Sequence, residues 1–163
     1  MENGMKITIL SVGKIKEKFY TEAINEYSKR LSRYCKLEIV QVADEKTAEN
    51  CSDAEADMVK KKEGDRLLSK IPEDAYVITL EINGKQIDSV ELAEKINQLG
   101  ISGKSHIAFI IGGSLGLHKS VSDRADYKLS FSKMTFPHQL MRVILLEQIY
   151  RSYRIINHQP YHK

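Results

Sequence analysis

The sequence predicts an α/β fold in three layers, with helices on both faces of a mostly parallel sheet. Three observations carry this expectation. Short β-branched apolar runs alternate with longer segments of helical periodicity, the alternation proceeds without a linker or internal repeat, and 163 residues amount to one domain. With 42% apolar and 29% charged residues, 3 Pro and 9 Gly, the composition excludes disordered, collagen-like and low-complexity classes. A chain of this length buries roughly 70% of the surface exposed when unfolded, enough for one real core.

Lys6 to Val12 (KITILSV), closed by Gly13, reads as a buried strand. Phe19, Ala23, Ile24, Tyr27, Leu31 and Tyr34 then recur at helical steps, with Lys29, Arg30 and Arg33 facing outward. A second strand is expected at Leu37 to Val42. Ser52 with Glu55 forms a capping box for a helix through the Lys60 to Lys62 cluster to about Ser69, before Pro72 breaks the chain. Tyr76 to Ile82 reads as a third strand ending in an Asn83-Gly84 turn, and Asp88 or Ser89 caps a helix through Gln98. His106 to Ile111 is the fourth strand, followed by GGSLG at Gly112 to Gly116 and a short polar stretch. A fifth apolar run covers Tyr127 to Phe131, and a long helix runs from about Pro137 to Arg154.

Several function classes find no support. No uncharged stretch approaches the roughly 18 apolar residues of a membrane span. The apolar run Ile7 to Val12 is followed at once by Lys14, Lys16 and Lys18 and lacks a secretory h-region, so the cytoplasm is the expected compartment. Cys35 and Cys51 are too few for a disulfide scaffold or a four-thiolate zinc site. Gly103-Lys104-Ser105 resembles the end of a P-loop, but it precedes a strand instead of following one, and Gln98 stands where the first glycine belongs. His158 and His162 have metal-ligand spacing, yet Pro160 between them prevents the helix that would align them, so no metal site is expected. No serine sits in a G-x-S-x-G elbow.

Two features suggest a site. In open α/β sheets ligands bind beyond the carboxyl ends of strands, which gathers Leu80 to Ile82, the glycines from Gly112 and the segment from Phe131 into one crevice; a tight turn is the alternative for GGSLG. The tail from Asn157 to Lys163 carries two imidazoles, an aromatic ring and a cation, and is either a frayed end or an ordered element that meets a substrate. The last helix is apolar on more than one face, through Leu140, Met141, Val143 and Ile144 as well as Leu146 and Ile149. That second face meets either a second copy of the chain or the chain's own domain. Net charge is only +3, but residues 14–36 and 119–163 are basic while residues 37–118 are acidic, so a local face can meet a polyanion.

The strings MKITILSVGKIKEKFY, IIGGSLGLH, FSKMTFPHQLMRVILLEQIYR and NHQPYHK, in this order, closely resemble the RlmH family of SPOUT-class enzymes, which methylate N3 of a pseudouridine in large-subunit ribosomal RNA. The resemblance spans residues 5–163 as one SPOUT methyltransferase domain, leaving Met1 to Gly4 as an extension and 155–163 as a functional tail. It implies an α/β fold with a C-terminal deep trefoil knot, an exception to the general absence of knots. It also implies S-adenosylmethionine as methyl donor, without a metal, held by Leu80, Gly112 and the loop Phe131, Ser132, Lys133, Met134, Thr135 and Phe136. A homodimer is implied, in which one subunit's tail completes its partner's site on the large subunit or the assembled ribosome. Tyr161, His162 and Lys163 are then expected to bind substrate. His162 is the expected proton acceptor, Tyr161 stacks on or hydrogen-bonds the target base, and Arg142 and Lys163 steady the imide anion. Many members end in Tyr-His-Arg; Lys163 keeps the charge and loses the planar fork. A nucleotide-binding small-molecule enzyme and a non-catalytic ribosome-binding module are the rival readings.

Overall fold

A computed structural model describes residues 4–163, so the expected extension lies, apart from Gly4, outside the described residues. The element order is β1 (Met5–Val12), α1 (Lys18–Leu31), β2 (Cys35–Val42), α2 (Asp53–Lys70), β3 (Tyr76–Gln86), α3 (Ser89–Ile101), β4 (His106–Ile111), α4 (Lys119–Arg124), β5 (Tyr127–Ser130) and α5 (His138–Ile156). The strands form one sheet in the order β2-β1-β4-β3-β5, and every pairing is parallel. Parallel neighbours need crossovers, so the segments that follow β3, β4 and β5 all leave at the same end of the sheet.

Period-two alternation divides the apolar side chains between two layers. Ile7 and Ile9 of β1 and Phe109 of β4 pack with Leu31 of α1, Ile96 of α3 and Leu145 of α5. On the other face Leu10, Val12 and Ile110 pack with Leu67 of α2 and Val121 of α4. Fully burying a side chain of this size contributes about 1.5–3 kcal/mol, and Ile7, Leu10, Phe109 and Ile110 are all fully buried. The three-layer expectation therefore holds. Ser52 and Glu55 form the expected box, at 3.1 Å and 3.3 Å, and Asp88 with Glu91 forms another at the start of α3. α5 packs against both α1 and α3, and this packing covers much of its two-sided apolar surface within its own chain.

Two expectations are corrected. β3 does not end at Asn83-Gly84. Leu80 and Lys85 both pair with Leu129 of β5, so residues 81–84 make a wide excursion and the ladder resumes through Gln86 and Ser130. The turn signal marks a break in pairing, not the end of the strand. Gly84 is required because its backbone runs against β5: a Cβ there would stand 2.7 Å from the Lys128 carbonyl oxygen. The polar stretch before β5 contains α4, a short helix whose N-cap His118 accepts from the Ser120 amide through Nδ1 at 3.2 Å. Apolar periodicity cannot reveal six residues with one buried position, Val121.

Because the Lys128 carbonyl is backbone in a paired strand, it cannot yield cheaply to a methyl group. Gly84→Ala is expected to lower stability by about 1–3 kcal/mol, read as a lower denaturation midpoint with an unchanged denaturant slope.

Candidate active site

A cleft of about 990 Å³ opens where β3, β4 and β5 end. Leu80, Glu81 and Ile82 come from β3 where its excursion begins, Gly112 to Leu117 from the turn after β4, and Phe131, Ser132 and Met134 to Pro137 from the segment leading into α5, with Tyr20 of α1 closing one side. Gly112 allows the turn to fold onto itself, since a Cβ there would stand 2.8 Å from the Gly116 carbonyl carbon. The Gly116 amide donates to the Gly113 carbonyl at 3.0 Å, so GGSLG is both a tight turn and a cleft wall. The segment after β5 is shaped by its own serines: Ser130 Oγ donates to the Ser132 carbonyl at 3.1 Å, and the Met134 amide donates to Ser132 Oγ at 3.0 Å. Of the residues expected to hold a cofactor, Leu80, Gly112, Phe131, Ser132, Met134, Thr135 and Phe136 all line this cleft. Lys133 does not line it and is exposed.

Arg142 is not a cation on the cleft wall. It is 2% exposed, and its Nη2 donates to the carbonyls of Val12 at 2.6 Å and Gly13 at 3.0 Å. The guanidinium thus ties the first turns of α5 to the end of β1, and burial pushes its pKa down to about 10. This burial follows the helical period, since Arg142 shares a stripe with Leu145, Leu146, Ile149 and Tyr153. One turn earlier, His138 and Gln139 do line the cleft. The His138 pKa is lowered, first by burial and then by the nearby Arg142 charge, so its imidazole is neutral at pH 7. His138 Nδ1 and Gln139 Oε1 are buried without a partner among the described residues.

The tail is ordered on the far end of α5, which extends to Ile156 and leaves 157–163 outside the helix. Tyr161 donates to Glu147 Oε1 at 2.6 Å and meets Tyr150 edge-on at 5.0 Å, while the Arg151 guanidinium lies 4.7 Å from its ring centre. The Glu147 hydrogen bond, before burial, raises the Tyr161 pKa to about 12. Arg151 Nη1 donates to His162 Nδ1 at 3.1 Å, which leaves the proton of a neutral imidazole on Nε2. Tyr34 donates to Gln159, and Arg154 donates to the Pro160 carbonyl at 2.9 Å. Met141 is the α5 residue furthest along the helix on the cleft wall, and from there the helix rises about 9 Å to Glu147 and about 15 Å to Arg151, which hold Tyr161 and His162, while Lys163 is exposed.

The cleft wall also carries residues that sequence reasoning did not single out: Tyr20, His138 and Gln139. Glu81 lies within the Leu80 to Ile82 segment expected at the crevice, but the sequence assigned it no role. The position of His138 one turn before the apolar stripe of α5 was a usable clue. Among the described residues no group of three or more His, Cys, Asp or Glu is arranged to hold a metal, and no helix is long and apolar enough to cross a membrane.

Comparisons with known proteins agree with this geometry. The family model described as "Predicted SPOUT methyltransferase" matches residues 5–162. A Bifidobacterium adolescentis protein named ribosomal RNA large subunit methyltransferase H is 64% identical, covering 98% of this chain and 100% of its own length. A Clostridium novyi protein of the same name is 63% identical over the same shares. A solved structure described as that of a probable methylase family protein from Haemophilus influenzae superposes with a TM-score of 0.51 at 12% identity, covering 97% of this chain and 70% of that one. That last likeness is one of fold, and all these matches are consistent with the expected trefoil-knotted α/β architecture.

Removing the Arg142 guanidinium leaves two carbonyls at the end of β1 without their donor, and Arg142→Ala is expected to lose about 3 kcal/mol of stability in denaturant titrations. His138 adds a pH dependence. Its folded pKa lies below the ordinary 6.5, so its contribution is complete above 6.5 and is lost as pH falls through the folded value. Between about pH 7.5 and about pH 5.5, His138→Gln is expected to lose less stability than the parent protein, measured as unfolding free energy.

Proposed function

The chain belongs to the SPOUT methyltransferase family, and we propose that it transfers a methyl group from S-adenosylmethionine to N3 of a pseudouridine in large-subunit ribosomal RNA. The observation that carries this reading is the convergence of the three expected cofactor segments on one cleft at the carboxyl ends of β3, β4 and β5. Its size suits a nucleoside bearing an amino-acid arm. Leu80, Leu117 and Phe131 offer apolar walls for a base, and the bare Gly112 backbone leaves room for close approach. The names of the relatives at 63% and 64% identity support large-subunit ribosomal RNA as the substrate.

When bound, S-adenosylmethionine supplies a methyl group already activated on a positively charged sulfur. The chain's task is therefore to orient the donor, exclude water and present the imide nitrogen in line. Leu80, Gly112 and the 131–136 loop do the first two. The tail does the third, with Tyr161 stacking on an unpaired base or bonding its edge and Lys163 adding positive charge. While Arg151 holds Nδ1, His162 offers an Nε2 proton, which suits steadying a carbonyl oxygen of the imide anion. For His162 to accept the N3 proton at Nδ1, the Arg151 bond must open. Arg142 serves by anchoring α5, without touching substrate.

The seating of the tail on the Glu147 to Arg151 stretch of α5, beyond the helix residues that line the cleft, supports a homodimer in which each tail completes the other subunit's cleft. Half-buried Val143, Ile144 and Tyr150 are available on α5 for that contact. The modest net charge of +3 supports recognition of a folded ribosomal surface, with binding to free RNA modest and salt-sensitive.

The direct test is transfer of labelled methyl to ribosomes from a strain lacking this protein, with the nucleoside identified by mass spectrometry. Label on N3 of a pseudouridine is expected; binding of the donor without transfer to ribosomes would refute the substrate. The shared site has its own test. Mixing His162→Ala with Gly112→Ala subunits is expected to restore about a quarter of wild-type activity, because half the dimers then hold one intact site. Recovery no greater than either variant alone would refute the exchange of tails.

A further inference from the structure

We propose that Glu81 is the counter-charge of the methyl donor's sulfonium, so that the cleft tells the donor from its demethylated product by charge. The inference rests on the reading that S-adenosylmethionine occupies the cleft.

Glu81 is half-buried on the cleft wall, carried there by the excursion of β3. Thr79 Oγ1 donates to its Oε2 at 2.6 Å, and Ser122 Oγ of α4 donates to Oε1 at 2.9 Å and to Oε2 at 3.0 Å. Thr79 is fully buried, so the carboxylate is held from behind by a fixed donor. Among the described residues no Lys, Arg or His pairs with Glu81, and no Lys or Arg lines the cleft. The other acid on the wall, Glu17, is exposed at the rim before α1. The site therefore keeps a half-buried carboxylate with no cation of its own.

The hydrogen bonds fix the orientation of this group. A carboxylate has about four acceptor sites, and two hydroxyl hydrogens reach this one, that of Thr79 at Oε2 and that of Ser122 shared between Oε1 and Oε2. A grip on a sugar diol or an amine through the remaining sites would hold donor and product alike. The carboxylate's charge, however, is not neutralised by hydroxyl donors, and it acts through space. A sulfonium has no N–H or O–H to offer and responds only to such a field. The donor carries one net positive charge. Methyl transfer leaves the electron pair of the broken carbon–sulfur bond on sulfur, and the product is net neutral. The attraction then vanishes, which favours release of the product. Because it is strongest before transfer, it acts on binding and does not lower the chemical barrier.

Calorimetric titration of S-adenosylmethionine and S-adenosylhomocysteine into the wild type, Glu81→Gln and Ser122→Ala tests this. Glu81→Gln is expected to weaken the donor about tenfold while changing the product less than about twofold, with KM raised and kcat not lowered. Ser122→Ala keeps the charge and is expected to preserve the wild-type ratio of the two affinities. If the Gln variant does not fold, Glu81→Asp, which withdraws the charge, must lower the ratio. An unchanged ratio in the Glu81 variant, or equal losses for both ligands, overturns the inference. Wild-type protein that binds neither ligand overturns instead the reading beneath it, that the donor occupies the cleft.

Discussion

Parallel pairing of β3 with both β4 and β5 is the constraint on which the rest of this molecule depends. The three strands lie far apart in the chain, yet parallel register sends their following segments out at one end of the sheet. A backbone that ends a strand there must turn, and each turn is paid for differently. β4 turns through glycines, β5 through serines whose hydroxyls bond the Ser132 carbonyl and the Met134 amide, and β3 through an excursion after which it rejoins the ladder. The cleft is the space these solutions leave between them. Arg142 completes it from the other side, because its grip on the end of β1 brings His138 and Gln139 to the wall.

Charge is divided between the two ends of α5. At the His138 end, the cleft wall holds carboxylates and a neutral imidazole and no Lys or Arg. At the other end Arg151 lies over the Tyr161 ring and Arg154 near that of Tyr150, and Lys163 is exposed. A cationic small ligand and a polyanion favour opposite surroundings, and these lie on successive stretches of one helix. The Debye length in physiological salt is about 8 Å, so each field is damped before it reaches the other.

Much of this was legible in the sequence because the relevant forces are local. β-branched runs marked the strands, Ser52 with Glu55 marked a helix start, and the glycines after β4 marked the cleft. What was not legible depended on contacts between distant segments. Asn83-Gly84 carries a strong turn signal, but the β5 backbone alongside it keeps the strand going. Arg142 looked like an available cation because arginine is usually exposed, although its place on the Leu145 and Ile149 stripe pointed inward. Glu81 fell within the segment expected at the crevice, but its setting became visible only once α4 supplied Ser122, and α4 was itself too short and polar to announce its presence.

The web of contacts around the tail has a consequence for the tempo of encounter. Immobilising one flexible side chain on association costs about 0.5–1.5 kcal/mol. Tyr161, His162 and Gln159 are already held by Glu147, Arg151 and Tyr34, so that loss of freedom is incurred once, as the chain folds. The tail can then meet another surface as a preformed template. Docking becomes a matter of rigid-body orientation, and no search through loop conformations is needed before contact is made.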